Sequence, residues 1–153
     1  MAIQSIVRAY EILKCFEGRD WLRITEISEL TGLHKSTAFG LVQTLKEIHL
    51  LEQDETNGMY RLGHELFRLG THVNHSIIDT MTPFINKLVS ETMETVNLVV
   101  REGHSTLYID KKESPHSMRI CTRLGQMLPM YCTAAGKAIM AYTDMKEVKE
   151  ILS

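Results

Sequence analysis

The sequence predicts an α+β fold in two parts joined by a helix. Short helices closed by a β-hairpin form the first part, and helices flanking an antiparallel sheet form the second. Three observations predict it. "TEISELTGLHKSTAFGLVQTL" (Thr25–Leu45) reads as two short helices around a glycine. Asn57-Gly58, a pair favoured in tight hairpin turns, lies between two short apolar runs. "VNLVVRE", "STLYIDKKE" and "SMRICTRL" mix apolar and polar residues as half-buried strands do.

The opening "MAIQSIVRAYEILKCFEG" has Ile3, Ile6, Val7, Tyr10, Leu13 and Phe16 on one helical face. Gln4, Arg8, Glu11 and Lys14 break it up, so it is no signal peptide. "RDWLRI" is a short connection or strand. In the next helix Thr25 can act as cap, Ile27 and Leu30 face inward, and Gly32 supplies the backbone freedom to end it. The following helix begins near His34 or Lys35, with Ala38, Leu41, Val42, Leu45 and Ile48 on its packing stripe. Leu50–Gln53 and Met59–Leu62 are the hairpin strands.

From Gly63 to about Asp79 the chain reads as one helix, with Leu66, Leu69, Val73 and Ile77 along one side. No Gly/Ser/Pro-rich linker intervenes, which implies a semi-rigid connection. Pro83 restarts a helix at its first turn. Three strands follow, Val96–Glu102, Ser105–Glu113 and Ser117–Leu124, the first two joined by a Gly103-His104 turn. "TAAGKAIMAY" and Asp144–Leu152 are the last helices. The expected division is therefore 1–62, a joining helix over 63–80, and 81–153.

A hydrophobic share of 44% and a charged share of 24% fit a soluble globular chain. No apolar run approaches the roughly twenty residues of a membrane span. The three cysteines, Cys15, Cys121 and Cys132, form no CxxC pair, which fits a reducing cytoplasm and disfavours a disulfide scaffold. A net charge of −2 excludes a protein that coats nucleic acid by charge alone, but not a local reading surface.

Two helices joined by a glycine turn and followed by a hairpin spell a winged helix-turn-helix. The packing stripe of the second helix leaves Lys35, Ser36, Phe39, Gly40, Gln43, Lys46 and Glu47 outward. Lys35, Ser36, Thr37 and the free N–H groups of the helix start suit phosphate. Gln43 is the candidate for a base edge, its amide matching adenine. Arg61, beside the hairpin turn, can reach a phosphate or the minor groove. Phe39 has two readings: it packs on the opening helix or a partner subunit, or it touches thymine methyls. Helix–glycine–helix patterns also occur in helical proteins that never meet DNA.

In "LPMYCTAAGKA", Pro129 fixes an extended entry and Thr133 caps a helix starting at Ala134. Backbone N–H groups at that start can hold a carboxylate. The competing reading is that Ala134, Ala135, Gly136 and Ala138 only permit close helix–sheet packing. Arg119 and Arg123 lie on one strand face. Cys132 near His104 or His116 suggests a thiol nucleophile only weakly, since nothing orients a base. His72 and His75 stand at i, i+3, but with no third ligand a solvated helix face is favoured over zinc. No cofactor, metal or catalytic residue is expected.

The chain resembles the IclR-type (isocitrate lyase regulator) bacterial transcription regulators. "IQSIVRAYEILKCF" resembles their first helix, "TEISELTGLHKSTAFGLVQTLKEIHLLEQD" their helix-turn-helix, and "GMYRLGHELFRLG" their wing and linker helix. "YIDKKES" and "GQMLPMYCTAAGKAIMA" resemble their effector domain. The resemblance implies a DNA-binding regulator that meets a partly palindromic operator as a homodimer or tetramer. It implies a partial α/β effector-binding domain that takes a small metabolite such as an organic acid. It also implies that Lys35, Ser36, Thr37, Phe39, Gln43 and Thr44 enter the major groove and that Arg61 belongs to the wing. The DNA-facing set is then Thr25, His34, Lys35, Ser36, Thr37, Phe39, Gly40, Gln43, Thr44, Lys46 and Arg61. The effector set is Leu128, Met130, Thr133, Ala134, Ala135 and Gly136.

Two residues depart from the family pattern. Gly40 stands where an arginine is usual, and His49 where a helix-ending glycine is usual. Family members also continue further at the C-terminus. The rival expectation is therefore a shortened regulator that cannot sense ligand and acts through mixed oligomers with longer relatives.

Overall fold

A computed structural model describes residues 2–73, 76–117 and 122–152. The chain divides into two compact units, Met1–Val73 and Asn74–Ser153.

In the first unit, α1 (Gln4–Lys14), α2 (Ile24–Thr31) and α3 (Lys35–Glu47) surround a core of Ile12, Cys15, Phe16, Leu22, Ile27, Val42, Leu45, Leu51 and Tyr60. α1 corrects the expected face. It buries Ile12, with Ala9 and Leu13 packed beside the core, and leaves Ile3, Ile6, Val7 and Tyr10 exposed. Leu30 and Ile48, expected inside, are also exposed. α2 starts two residues earlier than a Thr25 cap would place it. Arg23 is its cap, its N–H donating to the Glu26 carboxylate at 2.7 Å, and Thr25 is an exposed first-turn residue. Gly32 ends α2 in the left-handed region, φ 66°.

β1 (Leu51–Gln53) and β2 (Tyr60–Leu62) pair antiparallel, with Glu52 opposite Arg61. Leu22 of "RDWLRI" adds a bridge to Tyr60. Asn57-Gly58 is not a two-residue turn. The loop runs from Asp54 to Met59, and the Asp54 side chain accepts from Thr56 N–H, the Thr56 hydroxyl and the Asn57 amide. Gly63 packs on the end of α3, where a Cβ would stand 2.1 Å from the His49 carbonyl oxygen.

The helix expected over 63–80 is interrupted. α4 (His64–Gly70) stops, 71–73 form a turn, and α5 (Ser76–Thr92) begins anew. His75 lies outside the described residues. Pro83 lies within α5 rather than at the start of a helix.

In the second unit, β3 (Val96–Glu102), β4 (Ser105–Lys112) and β5 (Met127–Pro129) form an antiparallel sheet in that order. Gly103, at φ 59°, allows the short β3–β4 connection. Of the strand expected over 117–124, residues 118–121, with Met118, Arg119 and Cys121, lie outside the described residues, and the described remainder, Ser117 and 122–124, is not strand. The third strand lies further on, at Met127–Pro129. Pro129 leads into a 3-10 turn, Met130–Cys132, and then α6 (Ala134–Met140) and α7 (Met145–Leu152). Thr133 caps α6, accepting the Gly136 N–H at 2.9 Å. Gly136 is required there, since a Cβ would meet the Met130 oxygen at 2.2 Å. Among the described residues no helix is long and apolar enough to cross a membrane.

Candidate nucleic-acid interface and ligand cavity

α3 presents two different surfaces. Ala38, Val42 and Leu45 are buried, as their spacing requires. Lys35, Ser36, Thr37, Phe39, Gly40 and Thr44 are exposed, with Phe39 at 49%. His34 is the N-cap residue without a side-chain cap bond; its ring instead meets the Ser36 hydroxyl at 2.9 Å.

Several expected DNA contacts are tied into the protein. Gln43 is half-buried and donates its amide to the Tyr60 hydroxyl at 3.2 Å. Burial pushes the Tyr60 pKa up, against that bond. Lys46 donates to the Gln53 amide oxygen at 2.9 Å. The Thr44 hydroxyl donates to the Gly40 carbonyl at 3.1 Å. The first two bonds tie α3 to the two hairpin strands and so fix the wing against the helix.

The wing carries a cluster that sequence reasoning missed. Arg61 donates through Nε and Nη2 to one Glu52 oxygen, at 2.9 and 2.7 Å, and its guanidinium lies 5.1 Å from the Trp21 ring centre. The other Glu52 oxygen meets His64 Nδ1 at 2.5 Å and the His64 N–H at 3.2 Å. The Arg61 bond, followed by those from His64, holds the Glu52 carboxyl at about 2. A strict two-residue turn at Asn57-Gly58 would set Glu52 opposite Gly63. The longer loop moves the register by two residues and puts an acid opposite a base.

In the second unit a cavity of about 440 Å³ is lined by Glu94, Thr95, Asn97, Val99, Tyr108, Thr122, Leu128, Thr133, Ala134 and Ala135. Four of the expected effector residues thus meet at one opening. Met130 and Gly136 do not; they are buried against each other beneath α6. Thr95, Asn97 and Val99 were not anticipated, although the two-residue alternation of β3 puts Asn97 and Val99 on one face, with Thr95 just before the strand. The Thr122 hydroxyl donates to Asn97 Oδ1 at 2.6 Å. That fixes the Asn97 amide with its NH₂ as the remaining donor. Cys132 donates to the Pro129 carbonyl at 3.2 Å. Among the described residues no three His, Cys, Asp or Glu side chains gather to hold a metal.

A winged helix-turn-helix followed by an α/β unit with an open cavity is the architecture of two-part transcription regulators. The chain belongs to the IclR family: residues 5–55 match the IclR helix-turn-helix domain, and residues 70–153 match the bacterial transcriptional regulator IclR C-terminal domain. It is 32% identical over 99% of its length to the HTH-type transcriptional regulator KdgR of Dickeya chrysanthemi, covering 50% of that protein. It is 36% identical over 98% of its length to the HTH-type transcriptional regulator XynR of Escherichia coli, covering 61%. The crystal structure of the IclR transcriptional regulator from Alicyclobacillus acidocaldarius superposes with a TM-score of 0.84 at 26% identity, over 99% of this chain and 63% of that one. The chain spans only about half to three-fifths of the length of these two regulators.

Proposed function

We propose that the protein is a DNA-binding transcription regulator that works as a homo-oligomer in the cytoplasm and answers to a small metabolite. The observation that carries this is the exposed face of α3. It has a cationic start at Lys35, is flanked by a hairpin fixed to it through Gln43 and Lys46, and lies within a helix-turn-helix of the IclR type. Lys35 and the unbonded N–H groups of the first turn take phosphate, Phe39, Gly40 and Thr44 face the bases, and Arg61 belongs to the wing. Gln43 and Lys46 act mainly by holding the wing.

The second unit supplies the ligand site. Its cavity is within the range of small-molecule pockets. The Asn97 amide and the Thr95 and Thr133 hydroxyls suit a small organic acid. Residues 63–80 form the connection between reader and sensor. Ligand changes the spacing of two reading heads, which must enter major grooves about 34 Å apart, or a multiple of that, and so changes operator affinity. This reading assigns no catalytic step to the chain.

The test is a gel-shift titration of the full chain against DNA flanking its own gene, over a range of salt. Retained preference for one site at raised salt, with a steep salt dependence, is the expected result. Equal affinity for that DNA and for unrelated duplex at every salt concentration would sink it.

A further inference from the structure

In the middle of α3 the hydrogen-bonding side chains are each engaged within the protein. Gln43 is committed to Tyr60, Lys46 to Gln53, and the Thr44 hydroxyl turns back onto the Gly40 carbonyl. What remains outward is the Phe39 ring, half exposed, the bare Gly40 backbone, and the Thr44 methyl. Nothing lies within 4 Å of where a Gly40 Cβ would stand, so the surface beside the ring is open.

Guanine and adenine are read in the major groove by bidentate bonds from arginine, lysine, asparagine or glutamine. Of these types the middle of α3 carries only Gln43 and Lys46, both half-buried and turned toward the hairpin. The one apolar feature of the major groove is the thymine C5-methyl group, which phenylalanine and threonine methyl groups contact.

We infer that the middle of α3 reads thymine methyls, with Phe39 as the specificity-determining residue and Gly40 as the gap that lets the ring approach the base edges. The inference rests on the DNA-binding reading above. Charge favours this occupant over a second copy of the chain. The neighbours of Phe39 on the helix face are Lys35 and Ser36 a turn earlier and Gln43 a turn later. A subunit contact would continue apolar; a cation one turn before the ring suits a phosphate.

The experiment selects duplexes from a random library with the full chain, then replaces each thymine of the selected site by uracil, which lacks only the methyl. One or two positions per half-site should lose about fourfold in affinity, the worth of one buried methyl, and the others should not change. In Phe39→Ala, thymine and uracil duplexes should bind equally at those positions. A specific site with no uracil-sensitive position overturns the inference and leaves the DNA reading standing. So does a uracil effect that persists undiminished in Phe39→Ala, or a Phe39→Ala protein that changes its solution mass while keeping the effect. A library with no enriched sequence overturns both.

Discussion

At the end of α3, His49 stands at φ 61°, a left-handed conformation that glycine adopts without steric penalty. The geometry there demands it. Leu50 N–H bonds to the Leu45 carbonyl at 2.9 Å and His49 N–H to the Lys46 carbonyl at 3.0 Å, the paired bonds of a Schellman cap. His49→Gly should therefore stabilise the first unit by about 1 kcal/mol, read as a higher urea midpoint at unchanged slope; an unchanged or lowered midpoint would show that the ring repays its strain by contacts. Glu52 gives a pH prediction. Its carboxyl lies at about 2 in the folded chain against an ordinary 4.5. A depressed acid contributes stability that is whole above 4.5 and lost as pH falls toward 2. Glu52→Gln should be less stable than the parent at neutral pH, and the gap should close over that acid window. A gap that stays constant with pH would mean that the charge of Glu52 contributes nothing.

At the scale of elements, what could be read in the sequence followed what periodicity can encode. α2, α3, the β3–β4 hairpin, α6 and its Thr133 cap were legible, because spacing, a glycine turn and a capping residue each leave a mark. α1 was legible as a helix but its buried face was not. It carries apolar residues on two stripes, and spacing does not say which stripe its own chain covers. The break after Gly70 was hidden for a related reason. Leu66, Leu69, Val73 and Ile77 keep helical spacing straight through it. The candidate reading face was legible as a position on α3. The commitment of Gln43 and Lys46 was not, because it depends on contacts with the hairpin that only tertiary structure brings near. Gly40 gives the test at this scale. A Cβ there meets nothing within 4 Å, so Gly40→Ala should stabilise α3 by about 1 kcal/mol, seen as a raised denaturation midpoint of the first unit. Gly40→Arg enters the same open space beside Phe39; its cation should raise affinity for duplex of any sequence at fixed salt while the thymine-over-uracil preference is lost. No gain in affinity would mean that the lack of an arginine at this position is not what limits binding.

For the whole molecule, a net charge of −2 means that affinity for DNA must come from where the charges sit. The two wing and helix cations differ in this respect. Lys35 is exposed at the start of α3, whereas Arg61 is already neutralised by Glu52 and stacked near Trp21. Each phosphate neutralised contributes about −0.9 to the slope of log affinity against log salt. In an assembly whose two heads grip one duplex, Lys35→Ala removes two such contacts, so the slope should become shallower by about 1.8. A head acting alone would lose only about 0.9. Arg61→Ala should change the slope less than Lys35→Ala, because Arg61 is already held by Glu52 and so neutralises little phosphate charge. The same titration thus counts heads and ranks the cations. Equal slope changes for the two variants would show that the Glu52 pair opens on DNA, and no change for Lys35→Ala would remove the start of α3 from the contact.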